Sequence, residues 1–227
     1  MSGGSRFDRT ADRYAAHARS RDWRQFVDWC RPQPDDRALD VAGGPGLLSA
    51  ALLPLVASVT VVDASLRLLE LAPAGVERVH ARAEQLPFAD GSFDLVTCVM
   101  SLHHVARPPR VLDEIARVLA PGGRVVLEDA IADPDPDIAR RWEQVERLRD
   151  PEHVRLLELG EARRRLHAAG LRLDAEETWI RTIPTDRWIE TAGCSHGAAS
   201  QVRELVGAAS FTQRMWRARF APAAAGA

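Results

Sequence analysis

Residues 39–46 read Leu-Asp-Val-Ala-Gly-Gly-Pro-Gly, an apolar run that ends in a glycine-rich turn. Glycines let backbone approach a ligand closely, and a helix that opens there aims its first N–H groups at it. Residues 47–56 have the pattern of such a helix. An acid then follows at Asp63, which ends the β-branched run 58–63. In a strand–turn–helix–strand unit, an acid in that place accepts hydrogen bonds from both hydroxyls of a ribose. The plainer alternative makes the glycines a tight turn and Asp63 a helix cap. Loop and acid in this order and spacing favour a nucleotide site.

The glycine frame selects among nucleotides. A dinucleotide loop reads G-x-G-x-x-G, whereas this one reads Gly44-Pro45-Gly46-Leu47-Leu48-Ser49, without the third glycine. Asp40, inside the first strand, is also foreign to that fingerprint. A carboxylate there suits an ammonium group rather than a pyrophosphate. It points to S-adenosylmethionine (SAM), whose amino acid end carries one.

The elements that must hold these groups alternate. Strands are expected at 38–42, 58–63, 78–81, 93–99 and 124–127. Between them lie helices over 47–56 and 66–72 and a helix striped by Val111, Leu112, Ile115, Val118 and Leu119. Alternation of this kind predicts βαβ units and a parallel sheet with helices on both faces. Trp23, Phe26, Val27 and Cys30 mark a short helix before it. After it, 134–169 reads as mostly helical with a break at Asp150-Pro151, 171–181 supplies the last strands, and 185–218 reads as further helices. The tail 221–227 is expected to fray.

Composition excludes several classes. Apolar residues make up 46% of 227, enough for a packed core. No apolar run approaches the ~20 residues that span a bilayer, and the polar N-terminus has no signal-peptide pattern. Thirty basic against thirty-two acidic residues give a net charge of −2, so bulk charge points to neither nucleic acid nor membrane. Three widely spaced cysteines form no disulfide or zinc pattern and fit a reducing cytoplasm. All thirty basic residues are arginine, and lysine and asparagine are absent, as a GC-rich bacterial genome would produce.

Three stretches carry a family resemblance. Asp40-Val41-Ala42-Gly43-Gly44-Pro45-Gly46 resembles the first motif of class I SAM-dependent methyltransferases, D-V-G-C-G-T-G. Residues 83–94 (AEQLPFADGSFD), and Ser101-Leu102-His103-His104-Val105 followed by 117–123 (RVLAPGG), resemble the type 11 branch, which includes the ubiquinone/menaquinone biosynthesis methyltransferases. The ordered match covers roughly residues 7–130. It implies an α/β, doubly wound, seven-stranded, mostly parallel sheet of order 3-2-1-4-5-7-6, with helical lid segments. It also implies one domain over 1–227: lid helices in 1–30, the SAM-binding core in 36–130, and acceptor-side and closing elements in 134–218.

The resemblance assigns cofactor roles residue by residue. Asp40 would organise the loop and the methionine ammonium, with backbone at Ala42 and Gly44 on the methionine end and Gly46 completing the turn. Asp63 would hold the ribose, with Ala64 and Ser65 flanking adenine. Ala83 and Glu84 would line the adenine edge, and Val99 would face the amino group. Tyr14 and His17 would form a lid, and His104 would pack on the cofactor. Three positions depart from the pattern. Ala42 replaces a glycine, which requires a negative φ. Gly43 replaces a cysteine, without expected consequence. Arg82 stands where many members have an aspartate, and arginine cannot accept from the adenine amino group.

Methyl transfer needs proximity and in-line geometry, and a base only where the acceptor loses a proton. His103 and His104 follow the fourth strand at the edge where ligands bind. As neighbours they are expected to point different ways and take different roles. His103 and His153 are the catalytic candidates; for each, a capping or packing histidine is the plainer alternative. Tyr14 is expected to pack rather than to do acid–base work. Trp142, Trp179, Trp188, Trp216, Phe211 and Met215 form an acceptor pocket or ordinary core. The run Arg163-Arg164-Arg165 reads as a solvated helix face. No metal-ligand spacing is present.

The function read from the sequence is SAM-dependent methylation of a small molecule, with S-adenosylhomocysteine (SAH) as product and no metal, nucleic acid or membrane insertion. The expected state is a cytoplasmic monomer or homodimer serving bacterial natural-product or quinone-like biosynthesis. The alternative is a methyltransferase-fold cyclase that keeps the SAM site, and a third reading is a non-catalytic SAM-binding protein. A nicotinamide oxidoreductase has the wrong glycine frame.

Overall fold

The computed structural model describes residues 6–222, apart from the side chains of Arg6, Arg9 and His17. Seven strands form one sheet of order β3-β2-β1-β4-β5-β7-β6. They are β1 (Arg37–Val41), β2 (Ser58–Asp63), β3 (Glu77–His80), β4 (Phe93–Val99), β5 (Leu119–Ala130), β6 (Leu171–Pro184) and β7 (Ser210–Pro222). The first five pair in parallel. Only β7 is antiparallel to its neighbours, β5 on one side and β6 on the other. The chain runs outward from β1 through β2 to β3, then returns to β4 on the opposite side of β1. That reversal makes a crevice at the carboxyl ends of β1 and β4.

Apolar strands fit because helices cover both faces. On one face α5 (Pro108–Val118) and α7 (Leu159–Ala168) bury Val111, Leu112, Ile115 and Leu166 against Leu39, Val96 and Leu127. On the other, α2 (Arg24–Cys30) and α3 (Leu47–Leu52) pack Phe26, Val27, Leu48 and Leu52 against Ala38, Leu95 and Val126. Ahead of the sheet lies α1 (Ala11–Arg19), and α4 (Leu66–Glu70) joins β2 to β3. Three further helices, α6 (Pro136–Arg149), α8 (Thr185–Ala192) and α9 (His196–Val206), form a smaller cluster. There Val145, Trp188, Ile189 and Val202 pack around Phe211.

One stretch corrects the sequence reading. Residues 185–218 are not helical throughout, because 210–222 is the strand β7. Its arginines conceal the strand pattern. Arg217 and Arg219, 4% and 5% exposed, sit in an interior strand because each faces a carboxylate on a neighbour. Arg217 Nε donates to Glu128 of β5 at 2.7 Å, and Arg219 Nε donates to Asp174 of β6 at 2.6 Å. Buried charges are tolerated when paired in this way. The tail beyond 222 lies outside the described residues. The arginine run at 163–165 is half-exposed as expected, with Arg163 on Glu176 and Arg165 on Asp113.

Candidate active site

A cavity of about 1050 Å³ opens at the crevice between β1 and β4, at the upper end of the usual range for small-molecule sites. Its floor is the glycine loop. Asp40 is buried at the end of β1, where Ser49 Oγ donates to Oδ2 at 2.8 Å and Thr97 Oγ1 donates to Oδ1 at 2.9 Å. Burial pushes its pKa up to about 6, against the pull of those two hydroxyls.

One reading of the loop is overturned here. Ala42 has φ 51°, not a negative value, and Met100, which follows β4, has φ 52°. Left-handed conformation at a residue with a Cβ costs about 1–2 kcal/mol. Both residues line the cavity, and Ser101 Oγ lies 2.9 Å from Ala42 O and 2.8 Å from Val99 O, tying the strained strand ends together. Gly43 fits without strain and has a use of its own. A Cβ there would sit 2.5 Å from Asp40 Oδ2, so the absent side chain makes room for the carboxylate.

Asp63 bridges two backbone segments. Gly44 N–H donates to Oδ2 at 2.9 Å and Ser65 N–H donates to Oδ1 at 2.8 Å. Ser65 caps α4, accepting from Leu68 N–H, so Asp63 is not that helix's cap. Each oxygen of Asp63 keeps a second lone pair for a further donor. Burial raises its pKa, opposed by the surrounding backbone N–H groups.

Of the other cofactor candidates, Ala42, Gly44, Ala64, Arg82, Ala83, Glu84 and Val99 line the cavity. Gly46 lies behind the wall as the left-handed N-cap of α3. Arg82 has 73% of its side chain exposed and reaches Glu84 at 3.4 Å. The N-terminal segment closes over this half. Ser65 Oγ donates to Asp8 at 2.5 Å, and Phe7 meets Tyr14 and His104 edge-to-face at 5.3 and 5.1 Å. Tyr14 Oη donates to Asp150 Oδ2 at 2.9 Å; burial, then Asp150, drive its pKa upward, so it stays a neutral donor. His17 falls on α1, and its side chain lies outside the described residues.

The three histidines separate by partner. His103 and His104 do not point apart: both line the cavity, with ring centroids 4.0 Å apart. His103 Nδ1 meets Asp129 Oδ1 at 2.5 Å, and Asp129, fully buried, also accepts from Leu102 N–H at 2.8 Å. Burial opposes a charge on the His103 ring, but Asp129 outweighs it, and the pKa rises above 6.5. His103 Nε2 has no partner among the described residues. His104 Nδ1 lies 3.2 Å from Glu152 O, and burial followed by His103 holds its pKa well below 6.5.

His153 lies off the cavity wall. Its side chain is fully buried, with Nε2 3.0 Å from Glu143 and Nδ1 unpartnered among the described residues. Its loop nonetheless supports the site, because Val154 N–H donates to His103 O at 2.9 Å. Trp142 also lies off the wall, edge-on to Phe211 at 4.7 Å, whereas Trp188 reaches it.

Of the far half of the cavity the sequence offered Trp179, Trp188 and Met215, which line it, but not the charged groups beside them. Glu128 and Asp129 end the apolar run of β5, and an acid at the carboxyl end of a parallel strand was the available signal. Glu128 holds both Arg21 (2.6 Å) and Arg217 (2.7 Å). Trp179, Arg181, Gln213 and Met215, from β6 and β7, complete the wall with Trp188.

Comparison with known proteins decides the family. A family described as methyltransferase domain matches residues 39–127. The chain is 32% identical over 213 residues to the uncharacterized methyltransferase YcgJ of Bacillus subtilis, covering 89% of this chain and 84% of that one. The chain is a SAM-dependent methyltransferase of the type 11 branch.

The crystal structure of YcgJ superposes on this methyltransferase with a TM-score of 0.83, at 26% identity and over 91% of the chain. The methyltransferase is also 41% identical over 132 residues to demethylmenaquinone methyltransferase of Clavibacter sepedonicus, spanning about half of that relative (54%) and 56% of this chain. The [4+2]-cyclase SpnF shares the fold, with a TM-score of 0.70 at 19% identity. Among the described residues of the methyltransferase, no group of three His, Cys, Asp or Glu is placed to hold a metal. None of its described helices is long and apolar enough to cross a membrane.

Proposed function

We propose that this methyltransferase methylates a small molecule of bacterial metabolism, in the cytoplasm, with His103 as the base. The observation that carries it is His103 on the cavity wall, between the glycine loop and the β6–β7 half, with the buried Asp129 behind its ring. SAM, when bound, supplies an electrophilic methyl group on a sulfonium. The residues present fit it. Gly44, with φ 56°, has open space where a Cβ would lie, only Leu68 among the described residues being within 4 Å. Asp63 keeps lone pairs for two ribose hydroxyls, and Asp40 supplies a buried carboxylate towards an ammonium. Ala64, Ala83 and Glu84 flank the adenine, where Arg82 has no acceptor to offer.

His103 then takes, on Nε2, the proton that the acceptor gives up as its bond to carbon forms. Asp129 fixes the tautomer by occupying Nδ1 and stabilises the resulting imidazolium. His104, held neutral, packs beneath the lid formed by Phe7 and Tyr14. Trp179 and Trp188 give the acceptor an apolar wall. The likeness to demethylmenaquinone methyltransferase supports a quinone-like or other ring-bearing natural-product precursor. Incubation of candidate acceptors with SAM, read by mass spectrometry, should show the gain of one methylene. Because a cyclase shares the fold, conversion of an acceptor without mass gain would support the cyclase reading instead.

Two expected results test the cofactor half. Asp63→Ala should weaken SAH by about 1–3 kcal/mol, since two hydroxyls lose a charged acceptor and the Gly44 N–H loses its anchor. Calorimetry measures this, and unchanged affinity would leave Asp63 as a loop brace only. SAH affinity should also fall as pH drops below about 6, where Asp40 takes up a proton. The sign separates this from unfolding: a carboxyl whose pKa is raised by folding adds stability on the acid side and loses it as pH rises through about 6. Calorimetric titrations above and below that pH check it.

A further inference from the structure

We infer that the acceptor is an acid, whose carboxylate is received by Arg181. The inference rests on the methyltransferase reading above and names the substrate class of that same cavity. Five arginines line the acceptor half: Arg21, Arg149, Arg181, Arg187 and Arg217. Three are matched by carboxylates. Arg21 and Arg217 share Glu128, with Glu177 also 3.1 Å from Arg217, and Arg149 holds Glu146 at 2.8 Å and Asp150 at 3.6 Å. Arg187 is exposed and solvated.

Arg181 is different. It lies on β6 opposite Gln213 of β7, and its Nη2 donates to the Gln213 side-chain oxygen. That amide is neutral, and its own N–H₂ donates to Glu146 at 3.1 Å, so it is held in this orientation. No carboxylate pairs with Arg181 among the described residues, its Nε is buried without a partner, and no bond is made by Nη1. Burial, then repulsion from Arg21, presses the guanidinium below its usual pKa range, against the attraction of Glu128 and Glu146, neither of which contacts it.

A half-buried guanidinium with no carboxylate in contact leaves donors on the cavity wall that a ligand can satisfy. A planar carboxylate matches the guanidinium fork, which no carboxylate of the described residues contacts. A phosphate dianion would call for a second cation beside it, and the other arginine of the wall without a carboxylate among the described residues, Arg187, is exposed to solvent. Trp179 and Trp188 beside it provide the apolar surface for the body of such an acid. A carboxylate held there fixes the acceptor's orientation, which is the chief requirement of a transfer reaction.

The test is thermal unfolding of wild type and Arg181→Gln, saturated with SAH, in acetate, acetamide, phosphate or chloride at matched ionic strength. Acetate should raise the wild-type Tm by a few degrees over chloride, and acetamide should not. Arg181→Gln should abolish the acetate response. SAH affinity, titrated separately, should be the same in both proteins. An equal acetate response in Arg181→Gln, an equal response to acetamide, or a response to phosphate alone would overturn the assignment. So would a loss of stability in the variant with no loss of anion response. Failure of wild type to bind SAH would instead count against the methyltransferase reading, and the acetate and acetamide arms would then be read on the protein alone.

Discussion

Replacing His103 by alanine should lower kcat by about 10²–10⁴-fold while leaving SAH affinity nearly intact. The fold should survive, because the loop 150–155 is held by the backbone carbonyl of His103 and not by its ring. A pH profile separates a base from a packing residue. The base must be neutral to work, and Asp129 holds the imidazole pKa above 6.5 despite burial. The acid limb of kcat should therefore lie above 6.5, and in Asp129→Asn it should move down while the rate falls. Stability runs the other way. A histidine whose pKa is raised by folding adds stability that is fully present below its unfolded value, near 6.5, and is lost as pH rises through the folded one. Activity gained toward alkaline pH is thus accompanied by a weaker His103–Asp129 pair. His103→Ala with full rate and an unchanged profile would remove the base from the mechanism.

Gly44→Val should abolish detectable SAM and SAH binding. Two effects add. At φ 56° a β-branched residue is strained, at a cost of about 1–2 kcal/mol. Its side chain would also fill the open space above the loop, where only Leu68 among the described residues lies within 4 Å and where the methionine chain belongs. The Gly44 N–H that anchors Asp63 would shift with the strain, so the ribose site would suffer as well. The protein should still fold, since the loop edge and not the core is changed. Calorimetry with SAH, beside circular dichroism of the variant, measures both, and near-normal affinity would place the cofactor elsewhere.

What the sequence disclosed follows locality. Asp40, the glycines and Asp63 lie within one βαβ unit, where spacing along the chain fixes geometry in space. The strand β4 was legible end to end, because Phe93–Val99 is an apolar run after a turn. The sheet's last strand was not, since its buried arginines look like a solvated helix until Glu128 and Asp174 are set opposite them. The catalytic pair needed the same long-range knowledge: His103 was visible, but Asp129 became its partner only when β4 and β5 paired. His153 looked equivalent in sequence, yet folding turns it away from the cavity onto Glu143. Ala42 looked like a mild substitution because backbone dihedral strain is invisible in residue type, and the strained position shows only in its φ.

The central claim is a cofactor site for SAM joined to a base. The most direct measurement is calorimetric titration of the wild-type protein with SAM, SAH and NAD at neutral pH. Saturable, stoichiometric binding of SAM and SAH is expected, with no heat from NAD. Binding of NAD, or no binding of either sulfur nucleoside, would contradict it.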